Sequence, residues 1–413
     1  MEKEVAEFYG LNEFLKRIDT LGILQKSLVS IFEGNEDEIN GKITTFFISL
    51  SEFHIESSFS LYEAFLYMLS NVYTIFLTKN SQNNPKYEFI FKSIIDELNQ
   101  HHSLKTTFHE STIFLIFETN RLLLLYLYEK HVIDLSTIRD FINIRASRNN
   151  QYILFFIPEL MKDDSHFMES ININLSKEYI LKSYLANELT FEELSEKRKE
   201  LHSNEEIARI IRKDDLDSFI NYISHFDKFY INSKIQSSFL EMDPLINNYG
   251  KGVSLIEYSM CFGSINIFKY LFTNQADMNK NSLNYSVIGG NYEIIEILVN
   301  DSEFKFTDFN LFAGIKYIRP DITEYLMNIL QMQSLNLGQF FFGLGNTHNF
   351  DYFNQNIKTF LSDSNNASPI GSIYDEIVYY TLQMSGLKMY MFYEIILQNP
   401  KLDINQTNKI FSF

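Results

Sequence analysis

The sequence has a single cysteine, Cys261, in 413 residues. That excludes an intramolecular disulfide and any zinc site built on several thiolates. Proline numbers 6 and glycine 15, where average usage gives roughly 20 and 29. So few turn formers point to helices joined by short polar loops and away from a β-sandwich. Basic residues are outnumbered, with 35 Lys and Arg against 53 Asp and Glu and a net charge of −18. The excess is spread over both halves, so it marks an acidic surface rather than a tail. It also argues against nucleic acid as a partner, because phosphate binding needs a basic face.

Long apolar runs are missing too. The most apolar stretch, residues 113–128, is interrupted by Glu118, Asn120 and Arg121. It falls short of the ~18 uninterrupted residues that a membrane span needs and reads as a buried helix. The segment Met1-Glu2-Lys3-Glu4-Val5-Ala6-Glu7 has neither a basic start nor an apolar core, so no secretory signal is expected. The Asn-x-Ser triplets at Asn174 and Asn366 are then chance matches. No basic amphipathic helix is present to bind anionic lipid. The expectation is an intracellular, cytoplasmic protein with no membrane association.

What is present is enough apolar material, 45 %, to bury a core. The length allows two or three domains or one long array. The joint richness in Phe, Tyr, Asn, Ile and Lys is what AT-rich coding produces, so aromatic content is not a functional signal. Residues 1–200 read as successive helices. Residues 4–32 carry Phe8, Leu11, Leu15 and Ile18 at spacings of three and four, and Gly34 ends them. Further helices are expected over 60–77, 86–100, 111–130, 136–145, 150–161, 176–189 and 191–202, with Pro158 able to kink or end its own. The run Glu192–Glu200 is a solvated helix face with charges four apart.

The second half repeats. Aligning Ser254–Asp277 with residues 281–299 puts Gly263 on Gly290, Phe268 on Ile295 and Leu271 on Leu298. The period is about 27, which means stacked supersecondary units. A third copy, 311–328, sets Ile322 under Ile294 and Leu326 under Leu298. Fainter copies cover 338–353 and 373–397. Upstream, 205–223 carries a related helix pair, with Asp214 in the place of Gly263 and Phe219 in that of Phe268. One short helix pair cannot bury its own apolar face, so such units stack into a continuous core. The small residues Ser259 and Ser286 let the first helix of each unit approach its neighbours. Gly263 and Gly290 suit the turn between antiparallel helices.

These residues resemble the ankyrin repeat. Ser254 takes the place of the family's Thr, Ile256 of its first Leu, Ser259 of its first Ala and Gly263 of its Gly. Phe268 stands for its Val and Leu271-Phe272 for its Leu pair, and Gln275-Ala276-Asp277-Met278-Asn279 closes the unit. The next copy has Asn284 for His and Ser286-Val287 for the Ala pair, and keeps Gly290, Ile295 and Leu298-Val299. The units are shorter than the family's usual length, so reduced β-hairpin fingers are expected, and residues 224–252 form an insertion. The layout is similar to a divergent ankyrin family expanded in trichomonad protists, in which a helical N-terminal region of unknown function precedes degenerate repeats. The segments 204–217, 249–258 and Asn399-Pro400-Lys401-Leu402-Asp403-Ile404-Asn405 carry that similarity.

Catalytic motifs are not found. Cys261 is flanked by Met260 and Phe262, without the base or positive field a nucleophile needs. His101, His102, His109 and Glu110 are the densest ligand-like group, but adjacent histidines point apart on a helix, and a loop between helices is the expectation. Gly343-Leu344-Gly345-Asn346 lacks a following Lys and reads as a turn. Asp163-Asp164 and Asp214-Asp215 are expected in loops or at helix starts, where they can cap helices. No catalytic residue, metal or cofactor is assigned, and the protein is expected not to be an enzyme.

The expected fold is all-α. Residues 1–200 form an N-terminal helical array, and residues 201–413 form a degenerate ankyrin-like helix-pair solenoid, with the best units at 250–277 and 281–300. The resemblance implies a non-enzymatic scaffold or adaptor binding a protein through a concave face; a monomer is expected, and the acidic charge favours a basic or neutral partner. Tyr258, Cys261, Phe262, Tyr285, Ile288, Lys316, Tyr317, Phe341 and Leu344 would line that face. Two alternatives stay open. The N-terminal half is an effector or enzyme targeted by the repeats, or it is itself a run of diverged helix pairs.

Overall fold

The computed structural model describes residues 11–79, 85–145, 150–163, 190–226, 229–247, 251–335, 337–363 and 389–397. Helix dominates, and strand among these residues is confined to two segments of two residues each. The chain divides into two compact units. One comprises residues 1–72 and 307–413, the other residues 73–306. The division expected at residue 200 falls inside the second.

The first unit opens with α1 (Leu11–Glu33) and α2 (Glu36–Phe53). Phe14, Ile18, Leu21, Leu24, Leu28 and Ile31 recur at steps of three and four along α1 and are all buried. In α2, Ile39, Ile43, Phe46 and Leu50 do the same, and Glu36, Asp37 and Glu38 complement the dipole of its first turn. The boundary between the units falls within α3 (Phe59–Lys79).

The second unit continues with α4 (Pro85–His101), the single turn α5 (Leu104–Thr107), α6 (Glu110–Phe117), α7 (Arg121–Glu129), α8 (Leu135–Arg145), α9 (Asn150–Asp163) and α10 (Phe191–Lys197). The one helix expected over 111–130 is therefore two. Asn120 breaks it, its side-chain oxygen accepting from the amides of Leu122 and Leu123 to cap α7. Pro158 lies inside α9 without ending it. The helix expected over 176–189 lies outside the described residues.

There follow α11 (Glu206–Arg212), α12 (Leu216–Ser224), β1 (Lys234–Ile235), α13 (Pro244–Asn247), β2 (Val253–Ser254), α14 (Leu255–Cys261), α15 (Ile265–Thr273), α16 (Leu283–Gly289) and α17 (Tyr292–Asp301). The strands pair antiparallel, Lys234 with Ser254 and Ile235 with Val253. The first unit resumes with α18 (Asp308–Lys316), α19 (Pro320–Ile329), α20 (Leu337–Thr347), α21 (Phe350–Asp363) and α22 (Tyr390–Leu397).

From α11 onward the helices come in pairs, and the turn inside each pair carries one residue in the left-handed region: Asp214, Gly263, Gly290, Ile318 and His348. Two of the five are glycine, which adopts that region without a Cβ penalty. In the second unit α14 packs against both α11 and α16, while α15 packs against α12 and α17. In the first unit α18 packs against α20. Helix α1 lies along α21, whose first turn receives the side-chain oxygen of Gln25 on the Asp351 amide.

Candidate functional site

The repeated pairs are joined by one recurring bond. The Ser264 hydroxyl donates to the Ile211 carbonyl at 2.6 Å, the Asn291 side-chain amide to the Gly263 carbonyl at 3.0 Å and the Asn349 amide to the Ile315 carbonyl at 2.6 Å. In each case the residue that opens the second helix of one pair reaches the end of the first helix of the pair before it. The Ile211 and Ile315 carbonyls also accept the turn amides of Asp214 and Ile318, so the side-chain bond adds a second donor at the helix end. Asp214 works in the opposite direction. Its carboxylate accepts from the amides of Asn266 and Ile267, capping α15 across the seam. Ser259 and Ser286 are fully buried and turn their hydroxyls back onto the Ile256 and Leu283 carbonyls. Gly289 comes so close to α14 that a Cβ there would lie 1.9 Å from the Met260 carbonyl oxygen. Phe268, Leu271, Ile295 and Leu298 fill the seam behind them and are completely buried.

The face expected to receive a partner is largely closed. Tyr258, Cys261, Ile288, Tyr317 and Leu344 are buried, while Phe262, Tyr285 and Lys316 are partly exposed. The side chain of Phe341 lies outside the described residues. Leu344 belongs to α20, and the run Gly343–Asn346 read as a turn is helical throughout. Gly343 is needed there because a Cβ would meet the Phe353 and Phe312 rings at 2.6 and 2.7 Å. The Tyr258 hydroxyl accepts from Arg212 at 2.7 Å, and its ring packs on Phe262, with centroids 4.7 Å apart.

In the second unit the closure comes from the insertion. Phe239, Leu240, Glu241, Met242, Asp243, Ile246 and Asn247 are all buried. The Tyr285 hydroxyl reaches the Leu245 carbonyl at 3.4 Å, and the charges of Glu241 and Asp243 are felt by Tyr258, Tyr285 and Cys261. On its other side, Arg121 donates to the Phe239 and Glu241 carbonyls at 3.1 and 2.5 Å. Gln151 and Asn247 join side chain to side chain, and Thr78 reaches Asp243. The His202 ring faces both Glu241 carboxylate oxygens at 3.1 Å. Arg121, Gln151 and Thr78 thus hold the helices before residue 200 to the insertion, which in turn meets the pairs after it.

This buried group has the residue types of an active site but not the electrostatics. Burial pushes the Cys261 thiol well up, and Asp243, Glu241 and Glu257 push it further. A nucleophilic cysteine needs the opposite field. The histidine cluster is also accounted for by structure. His109 caps α6, its ring nitrogen accepting from the Ser111 amide. His102 is buried and His101 exposed, each near Glu97. The Glu110 carboxylate receives the Asp134 amide and the Thr137 hydroxyl. No group of three His, Cys, Asp or Glu side chains among the described residues could hold a metal ion. Asp215 caps α12 through Ser218, and that bonding holds its carboxyl below the usual range. Asp163 pairs with Arg139 at 2.7 Å.

Arg121 was noted only as an interruption of an apolar run, and His202, Glu241 and Asp243 were not singled out in the sequence. One signal was there, since a charged residue followed by Leu122–Leu125 must be buried and must find acceptors. The remaining three become visible only when chain segments far apart in sequence meet. No known family model matches the chain, nor does any curated protein or solved structure.

Proposed function

We propose that the protein is a non-catalytic, cytoplasmic interaction scaffold whose paired helices are degenerate ankyrin-like units. The observation that carries this reading is the recurrence of one seam. A left-handed turn, a buried small residue on the first helix and a bond from one pair's second helix to the preceding turn recur along the array. Such stacks are rigid before binding and lose little entropy in recognition.

Because the insertion covers the inner face of α14 and α16, contact falls on what it leaves open. Phe262 and Tyr285 remain partly exposed. At the edge of the first pair, Ile220, Phe226 and Tyr230 are exposed, and Tyr230 retains 65 % of its surface. Phe226 is held by Tyr222 and Phe229, with ring centroids 5.4 and 6.2 Å away. Preordered aromatic side chains of this kind make binding hot spots. With a net charge of −18, the surface favours a basic or neutral protein whose association slows as salt rises. Among the described residues no helix is long and apolar enough to cross a membrane.

The test is affinity capture with two variants whose circular dichroism matches wild type. Ile220→Asp/Tyr230→Asp alters the edge, and Tyr285→Ala alters what remains of the inner face of the second unit. Loss of a specific partner with either variant supports the scaffold and locates its surface. Equal retention by both, or no partner at all, overturns it.

A further inference from the structure

We propose that α22 is a pH-responsive latch within the first unit, held against α1 and α3 while Glu63 is protonated and loosened when Glu63 ionises. The docked helix is firmly packed. Met389, Met391 and Phe392 are fully buried, Phe392 lies 5.8 Å from the Phe14 ring, and Tyr390 meets Phe59 edge-on at 5.3 Å. Glu63, on α3, is 2 % exposed and accepts the Tyr390 amide, the first of α22, at 2.7 Å.

The charges around it are unevenly shared. Helix α1 presents Arg17, which bonds the Ser60 hydroxyl at 2.7 Å, pairs with Glu394 and lies 3.4 Å from Glu13. Helix α22 presents Glu394, which also accepts from Ser60 at 2.8 Å. The turn before α3 brings Glu56 beside Tyr62. Helix α2 meets α3 through the Phe46–Phe65 stack, which is apolar. The nearby cation is thus taken by Glu394 and Glu13, and among the described residues none pairs with Glu63. A buried carboxylate without a cation favours its neutral form. Burial pushes the Glu63 carboxyl up to about 7; the Tyr390 amide draws it down, and Glu394 pushes it further up.

The sign follows from linkage. If release of α22 returns Glu63 to water and an ordinary acidity, the docked form holds a proton that the released form has lost. Docking then weakens as pH rises from about 4.5 to about 7 and levels off above. The docking constant falls on the order of a hundredfold across that window.

The chain contains no tryptophan, so Phe392→Trp provides a single reporter in the full-length protein, and Tyr390→Trp a second. Reporter fluorescence is followed through urea titrations at pH 5 and pH 8. In the Glu63 background the midpoint is expected to fall as pH rises, relative to the same reporter carrying Glu63→Gln. Glu394→Gln, which removes the neighbouring charge, shifts the transition to lower pH and remains available if Glu63→Gln does not fold. The same pH response in all three backgrounds overturns the latch. Contributions from other groups, His348 included, are common to the compared proteins and cancel.

Discussion

The seam between α14 and α16 makes a prediction whose sign separates two physical effects. Gly289 closes α16, and Ala is a better helix former by about 1 kcal/mol. On propensity alone Gly289→Ala stabilises. The structure predicts the reverse, because the new Cβ would lie 1.9 Å from the Met260 oxygen and 3.0 Å from that of Cys261. Both are backbone atoms of α14, which is fixed by buried contacts on α11 and α16 and cannot yield as a side-chain tip would. Forcing a methyl group into such a contact costs about 1–3 kcal/mol, and more when backbone must move. The net expectation is a loss of about 2 kcal/mol. Gly41 provides the control. It is exposed inside α2, and a Cβ there meets nothing within 4 Å. Gly41→Ala should therefore show the bare propensity gain of up to about 1 kcal/mol. Urea unfolding followed by circular dichroism at a fixed pH measures both. If Gly289→Ala is as stabilising as Gly41→Ala, α14 and α16 are not in contact at this position and the stacking is wrong.

Three more outcomes follow from the buried groups. Arg121→Met leaves the Phe239 carbonyl without its donor and the Glu241 carbonyl with the Asn247 side-chain amide alone, and should cost about 2 kcal/mol in chemical denaturation, since an orphaned buried acceptor costs ~1–3 kcal/mol; a loss below about 1 kcal/mol would mean the insertion is not anchored there. Cys261 should resist an aromatic disulfide reagent at pH 8 in the native protein and react at once in denaturant, because burial and three nearby carboxylates disfavour its thiolate; fast native labelling would refute that environment. His348 stacks on Tyr67 at 5.4 Å, and burial, with Lys316 nearby, draws its imidazole down to about 3. The unfolded chain therefore takes up a proton between about 6.5 and 3 that the folded chain refuses, so stability is lost as pH falls through that window, and His348→Gln should flatten this part of the unfolding profile.

The legible parts of this fold are those set by spacing along one helix. Residues 60–77 anticipate α3 to within two residues at either end, because Leu61, Phe65, Met68, Leu69, Val72 and Phe76 mark one face. The turns at Gly263 and Gly290 were legible for a backbone reason, as their left-handed conformations show. Ile318 occupies the same conformation and carried no signal, since a β-branched residue is a poor choice for it. Helix α2 escaped notice although Ile39, Ile43, Phe46 and Leu50 are regularly spaced; Gly34-Asn35 and the acidic Glu36-Asp37-Glu38 look like loop until they are seen as the start of a helix. The candidate surface was the least legible part. Aromatic residues on the first helix of a stacked pair point either to a partner or to another part of the chain, and a local pattern does not distinguish the two.

That ambiguity is resolved at the insertion, which restricts how the paired helices of the second unit can recognise anything. Segment 236–247 is not an apolar plug. It carries Glu241 and Asp243 into the interior, where an unpaired carboxylate is costly. Each is matched by particular neighbours. Glu241 has the His202 ring against its carboxylate. Asp243 accepts from the Leu245 and Ile246 amides, starting α13, and from the Thr78 hydroxyl. A competing peptide would have to offer a carboxylate to His202 and two backbone carbonyls to Arg121 in the same register, or leave them without these acceptors. Displacement from that face is therefore disfavoured on both sides of the exchange, and under the scaffold role proposed above any contact would be directed to the rims, where Phe226, Tyr230 and Tyr285 still meet solvent.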